Sequence, residues 1–149
     1  MAVYHPEVME QIIEFAGNHT MLVAAFVVVL AMLIGNEISR LTRGFKDISP
    51  TDATRLLNHE TAVLLDIRTA AENREGHIIN SKHIPTNELT TRLNELEKHR
   101  QDHIIAYCRS GNRSVAACKI LKKSGFDHVY NLGGGIMAWE SANLPVTKK

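Results

Sequence analysis

The segment Cys108-Arg109-Ser110-Gly111-Asn112-Arg113-Ser114 sets one thiol ahead of small, charged and turn-forming residues. It follows an apolar, strand-like run, His103 to Tyr107, and precedes a helical pattern from about Ser114 to Ser124. A cysteine in the crook between a strand and a helix start meets backbone N–H groups without intrahelical partners, and the positive end of the helix dipole. Both favour a thiolate and should lower the thiol pKa from about 8.5 toward roughly 5–7. Arg109 and Arg113 add positive charge of the same sense. Gly111 permits the positive-φ turn that a ring of inward-pointing amides requires. The chemistry open to such a segment is nucleophilic attack by sulfur. A buried packing cysteine is the alternative, but the residues after Cys108 suit a solvent-reachable loop better than a core.

The elements that position this loop can be read on either side of it. Ser49-Pro50-Thr51-Asp52 has the residues of a helix start, and Ala53, Leu56 and Leu57 give that helix an apolar face. Ala62 to Ile67 reads as a strand covered on both sides, ending in Asp66-Ile67-Arg68. Thr69 to Gly76 reads as a loop with one helical turn. Gly76-His77-Ile78-Ile79 leads into an extended piece ending at Ile84-Pro85, and His77 is a packing residue at its start. Leu89, Leu93 and Leu96 recur at helical spacing. After the cysteine loop, Val115, Cys118 and Leu121 share a helix face, so Cys118 is a packing residue. Gly125 stops that helix. Val129 to Leu132 is expected as the final strand, followed by Gly133-Gly134-Gly135 and a short helix holding Trp139. The triple glycine lacks the spacing of a dinucleotide fingerprint, since residue 138 is Ala, and is expected to bring backbone close to the cysteine loop. Alternating strands and helices predict an α/β fold with a mostly parallel sheet, with Asp66, Arg68, Cys108 and Gly133 at the carboxyl ends of its strands.

The first 42 residues are of a different kind. Tyr4 to Phe15 reads as a short amphipathic lead-in. From Phe15 to Asn36 there is no Asp, Glu, Lys or Arg, and Met21 to Ile34 is wholly apolar. A transmembrane anchor is the expectation, in preference to a core helix or a cleaved signal peptide. Arg40, Arg43 and Lys46 follow the span and no Lys or Arg precedes it, which places the N-terminus outside and the rest in the cytoplasm. Thr42 to Ile48 reads as a brief linker. The expected domains are therefore 1–42, lead-in and anchor, and 43–149, the α/β domain.

The 149 residues carry a formal net charge of +1, which does not point to a nucleic-acid partner. Two cysteines without a CxxC support neither a disulfide scaffold nor a zinc ribbon. None of the eight histidines stands at ligand spacing, so no metal or other cofactor is expected.

Four motifs taken together resemble a single-domain rhodanese, over about residues Phe45 to Pro145. They are Asp66-Ile67-Arg68; Gly76-His77-Ile78 with Ile84-Pro85; Cys108 to Ser114; and Gly133-Gly134-Gly135 with Trp139. Asn80-Ser81-Lys82-His83 departs from the family's usual small-residue turn. With the apolar segment included, the whole chain resembles the membrane-anchored rhodaneses of bacteria. The resemblance implies a five-stranded parallel sheet flanked by helices, a place in the inner membrane with a periplasmic N-terminus, and sulfurtransferase activity. It implies that Cys108 takes sulfur from thiosulfate or another sulfane donor, forms a persulfide, and yields the sulfur to a thiol or to cyanide. Arg109, Ser110, Gly111, Asn112, Arg113 and Ser114 would bind substrate through the loop, with Gly133 and Gly134 in support. Asp66 and Arg68 close a strand near the loop, where they either orient it and meet the incoming anion through Arg68 or form a structural ion pair, with Glu72 as the partner.

Two other functions fit parts of the chain. A cysteine phosphatase or arsenate reductase would carry an Arg at the position of Ser114; here Arg113 closes a loop shorter by one residue. A tethered interaction module would use Ala24, Ala25, Ala31 and Gly35 to approach other membrane proteins.

Overall fold

The computed structural model describes residues 6–41 and 43–148. The chain divides into two compact units, residues 1–42 and 43–149. In the first, α1 (Pro6–Asn18) is followed after His19 by α2 (Thr20–Leu41). Thr20–Ser39, with a mean hydropathy of 2.3, is long and apolar enough to cross a membrane. At a rise of about 1.5 Å per residue, α2 is roughly 33 Å long, close to the thickness of a bilayer's hydrocarbon core. It runs past Asn36 through Glu37 and Arg40, and the expected lead-in falls partly outside the described residues, which begin at Pro6.

The second unit is built on a five-stranded sheet in the order β1 (Lys46–Ile48), β6 (His128–Leu132), β5 (His103–Tyr107), β2 (Ala62–Asp66), β4 (Lys82–His83), with every pairing parallel. Successive side chains of a strand point to opposite faces, and the sorting is visible here. Leu65, Ile104, Ala106, Cys108 and Val129 join the helix α5 (Asn112–Lys123) in one core, with Cys118, Leu121 and Phe126. Leu64, Ile105, Tyr107 and Leu132 face the other way, into a core with Ala53 of α3 (Pro50–His59) and with Ile136 and Trp139 of α6 (Gly135–Ser141). The predicted start of α3 holds in detail: the Ser49 hydroxyl accepts from the Asp52 amide at 3.1 Å.

Four expectations change. The linker before Ser49 contains β1, whose three residues pair with Tyr130, Asn131 and Leu132 of β6; three residues are too few to show an alternation. The extended stretch after Gly76 is two strands, β3 (His77–Ile78) outside the main sheet and β4 within it, separated by a turn with Asn80 at φ 61°. Leu93–His99 is a 3-10 helix, not an α-helix. The last strand is β7 (Val146–Thr147), which pairs antiparallel with β3.

The polar turn before Ile84-Pro85 is tied into the sheet by a buried tyrosine. Tyr107 donates its hydroxyl to Ser81 at 2.9 Å and accepts from the Ile78 amide at 3.1 Å. The departure from the usual small-residue turn thus supplies a hydrogen-bond partner for the side chain one residue ahead of Cys108.

A candidate active site at the cysteine loop

β5 points Ile104, Ala106 and then Cys108 to the α5 face, so strand parity alone aims the thiol toward the start of α5. Gly111, at φ 88°, turns the chain into that helix and donates its amide to Cys108 Sγ at 3.1 Å. The amides of Ser110 and Ser114 also favour a charged sulfur, and the Ser114 hydroxyl lies 3.5 Å from it. The loop residues Arg109, Ser110, Asn112 and Arg113 are exposed, but the thiol itself is not the solvent-reachable group expected: Cys108 is 1% exposed at the edge of the core, and burial by itself would raise its pKa. The Ser114 hydroxyl and the amides of Ser114, Ser110 and Gly111 outweigh it, and Cys108 titrates below an ordinary thiol.

The other side of the loop explains why these amides face inward. The first amides of α6 take up the loop carbonyls: Ile136 donates to Cys108 O at 2.9 Å and Met137 to Arg109 O at 3.2 Å. This is the close approach expected of the triple glycine. Gly133 donates to Ile48 O at 2.9 Å, and Gly134 precedes the first turn of α6. Gly135, at φ +58°, sits where a Cβ would fall 2.3 Å from Cys108 O and 2.6 Å from Arg109 C. Since backbone on both sides must give way, Gly135→Ala is expected to cost about 2–3 kcal/mol and to misplace the loop. Thermal unfolding compared with the unchanged chain measures this; an unaltered midpoint would contradict it.

Asp66 and Arg68 stand one strand over. Asp66 is fully buried and accepts from the Arg68 amide at 2.9 Å, from its guanidinium at 2.7 and 3.0 Å, and from Asn73 at 2.9 Å. Arg68 also donates to Gly76 O at 2.6 Å. Against its burial, these bonds hold the Asp66 carboxyl below the ordinary carboxylate range. Arg68 does not pair with Glu72, the partner anticipated for an ion pair here. Glu72 instead bridges to Arg113 at 3.0 and 2.5 Å, because its place in the Thr69 capping box at the start of the short helix α4 (Ala70–Glu75) points it across to the cysteine loop. Arg113 draws the Glu72 pKa down to about 2.

Arg109, Ser110 and Asn112 are exposed. Arg109 reaches a cavity of about 280 Å³ lined also by Arg68, Glu72, Met137, Glu140 and Lys148. Cys118 is buried, donates to Tyr130 O at 3.4 Å, and is pushed to a high pKa by that burial. His77 is a packed residue bonded to Asn73 O. Among the described residues no group of three or more His, Cys, Asp or Glu is placed to hold a metal.

Sequence reasoning passed over Asp47 and Asn131. They are neighbours across β1 and β6, and Asn131 is almost wholly buried, on the same face as Val129. Asn131 donates to Asp47 Oδ1 at 2.7 Å and to Gly111 O at 3.1 Å, and accepts from Ser114 at 2.5 Å. The signal was present in Val129-Tyr130-Asn131-Leu132: a polar residue at an inward position of a strand covered on both faces.

The sequence model of the Rhodanese-like domain matches residues 49–142. YibN of Escherichia coli strain K12, an uncharacterised protein, is 33% identical over 141 residues, covering 94% of this chain and 99% of its own. A protein of Allochromatium vinosum named as a sulfurtransferase is 41% identical over 92 residues, 62% of this chain and 84% of its own. The crystal structure of a rhodanese-related protein from Thermoplasma volcanium superposes with a TM-score of 0.63 at 31% identity, over 70% of this chain and all of the other.

Proposed function

The chain belongs to the rhodanese-like family, and from that premise we propose that it is a membrane-anchored sulfurtransferase working through a Cys108 persulfide. The observation that carries the reading is the Gly111 amide donating to Cys108 Sγ at 3.1 Å, joined by the Ser114 hydroxyl and the Ser110 and Ser114 amides in lowering the thiol pKa. Fixed dipoles of this kind stabilise charge without reorganising as it develops. The Cys108 thiolate attacks the outer sulfur of thiosulfate; a sulfur–sulfur bond forms, the donor's sulfur–sulfur bond breaks, and sulfite leaves with the electron pair. The terminal sulfur of the persulfide carries the negative charge, which the fixed dipoles of the loop stabilise. A thiolate or cyanide then attacks that sulfur, and the Cys108 thiolate departs as it began. No external oxidant or reductant enters.

Arg109, exposed at the cavity beside the loop, meets the incoming anion. Arg68, committed to Asp66 and Gly76 O, serves as a strut of the cavity wall. Ser114 stands where an oxyanion-clamping Arg would be needed for phosphoryl transfer; it is fully buried, and Arg113 turns outward to Glu72. The nest therefore suits a single sulfur rather than a tetrahedral oxyanion. We assign α2 as the single span and, from Arg40, Arg43 and Lys46 after it, the α/β domain to the cytoplasmic side of the bacterial inner membrane, where thiols remain reduced.

Intact mass after incubation with thiosulfate tests the reading. A gain of one sulfur atom, removed by dithiothreitol, is expected. An unchanged mass under conditions where the thiol is free to alkylate would overturn it.

A further inference from the structure

The buried cluster around Ser114 contains one hydroxyl proton and more acceptors than that proton can serve. Ser114 Oγ lies 2.5 Å from Asn131 Oδ1, 3.1 Å from Gly111 O and 3.5 Å from Cys108 Sγ. The orientation of the Asn131 amide is fixed by its surroundings. Both hydrogens of Nδ2 are used, on Asp47 Oδ1 and on Gly111 O; a flipped amide would set its oxygen against a carboxylate and a carbonyl. Oδ1 therefore faces Ser114, and only the serine can supply the hydrogen between them. Asn131 is 3% exposed and Ser114 0%, so water does not readily replace either partner.

We propose that Asn131 is a positioning residue that holds the Ser114 hydroxyl proton away from the Cys108 sulfur. While that proton rests on Asn131, Ser114 offers the thiol a lone pair and accepts its S–H. When the thiolate or the persulfide forms, the hydroxyl must rotate to donate to sulfur, which leaves Oδ1 without a donor. The backbone amides favour the charged sulfur unconditionally; the serine does so only by taking its proton from Asn131. The inference rests on Cys108 being the nucleophile of the sulfurtransferase reading.

The titratable neighbours are Arg109 on the loop, Arg113 and Cys118 on α5, and, through Asn131, Asp47 on β1. From α6 the contacts to the loop are backbone amides. None of these groups changes in the variants used to test the idea. The rate of Cys108 alkylation by iodoacetamide is followed against pH in the full chain, in detergent, with modification located by mass. In Asn131→Ala the freed hydroxyl donates to sulfur, and the midpoint is expected to fall by about half a unit or more. In a Ser114→Ala background the same substitution should leave the midpoint unmoved. Should the alanine variant unfold, Asn131→Val, also without an acceptor and better suited to a strand, takes its place. A midpoint that stays or rises in the single variant overturns the proposal. So does an equal fall in both backgrounds, which would trace the effect to the Gly111 carbonyl. Alkylation is read whether or not thiosulfate delivers sulfur, so failure of the sulfurtransferase reading and failure of this one are seen separately.

Discussion

Cys108→Ser is expected to take up no sulfur from thiosulfate and to lose thiocyanate formation by at least about a thousandfold. Removing the nucleophile of a catalytic unit leaves only binding and fixed dipoles behind. A serine hydroxyl is far less acidic than this thiol, and the amide ring is placed around the side-chain atom of residue 108 rather than around a base that could activate an alcohol. The substitution should leave the fold in place, because the Gly111 amide can donate to oxygen as well as to sulfur. Steady-state transfer from thiosulfate to cyanide, beside a thermal unfolding curve, measures both expectations. Cys118→Ser supplies the contrast: its thiol is buried and poorly acidic, so the transfer rate should stay within about twofold. A rate for Cys108→Ser above a tenth of the unchanged chain's would move the chemistry elsewhere.

Arg68→Met should produce the largest loss of stability. It leaves the fully buried Asp66 carboxylate with the Asn73 side chain and the residue 68 amide as its remaining donors. Breaking one side of a buried ion pair typically costs about 3–5 kcal/mol, from a domain total of roughly 5–15 kcal/mol. The loss should depend on pH in a defined direction. The Asp66 pKa is held below its ordinary 3.8 in the folded protein, so its contribution is fully present above that value and is lost as pH falls through the folded pKa. Urea unfolding of the unchanged chain and of Arg68→Met should differ by the full amount at neutral pH and by less below about pH 4. A gap that keeps its size on acidification would mean that Arg68 contributes packing rather than charge.

The layered α/β arrangement was legible in the chain because short apolar runs alternate with helical patterns, and the structure then sorts the side chains of those runs between two cores. Leu65, Ile104 and Val129 fell on one face and Leu64, Ile105 and Leu132 on the other. The cysteine loop could be placed because a strand, a glycine and a helix start follow one another without interruption. β1, β3, β4 and β7 were missed or merged because two or three residues hold no readable alternation, and their pairing is decided by distant partners. The same reason hid Asp47 and Asn131, and the turn of Glu72 toward Arg113 rather than Arg68: those contacts span 84 and 41 positions of chain. Local pattern reports which face a residue takes, not which residue waits for it there.

Every strand of the main sheet runs in the same direction, and that has a practical outcome. The polypeptide enters the sheet at Lys46, which pairs with Tyr130 and so stands level with Ile105, whereas the thiol lies three strand positions further on, roughly 10 Å, just past the carboxyl end of β5. A reporter, a cleavable peptide or a surface attachment fused ahead of Phe45 would thus join the domain on the side remote from its reactive mouth.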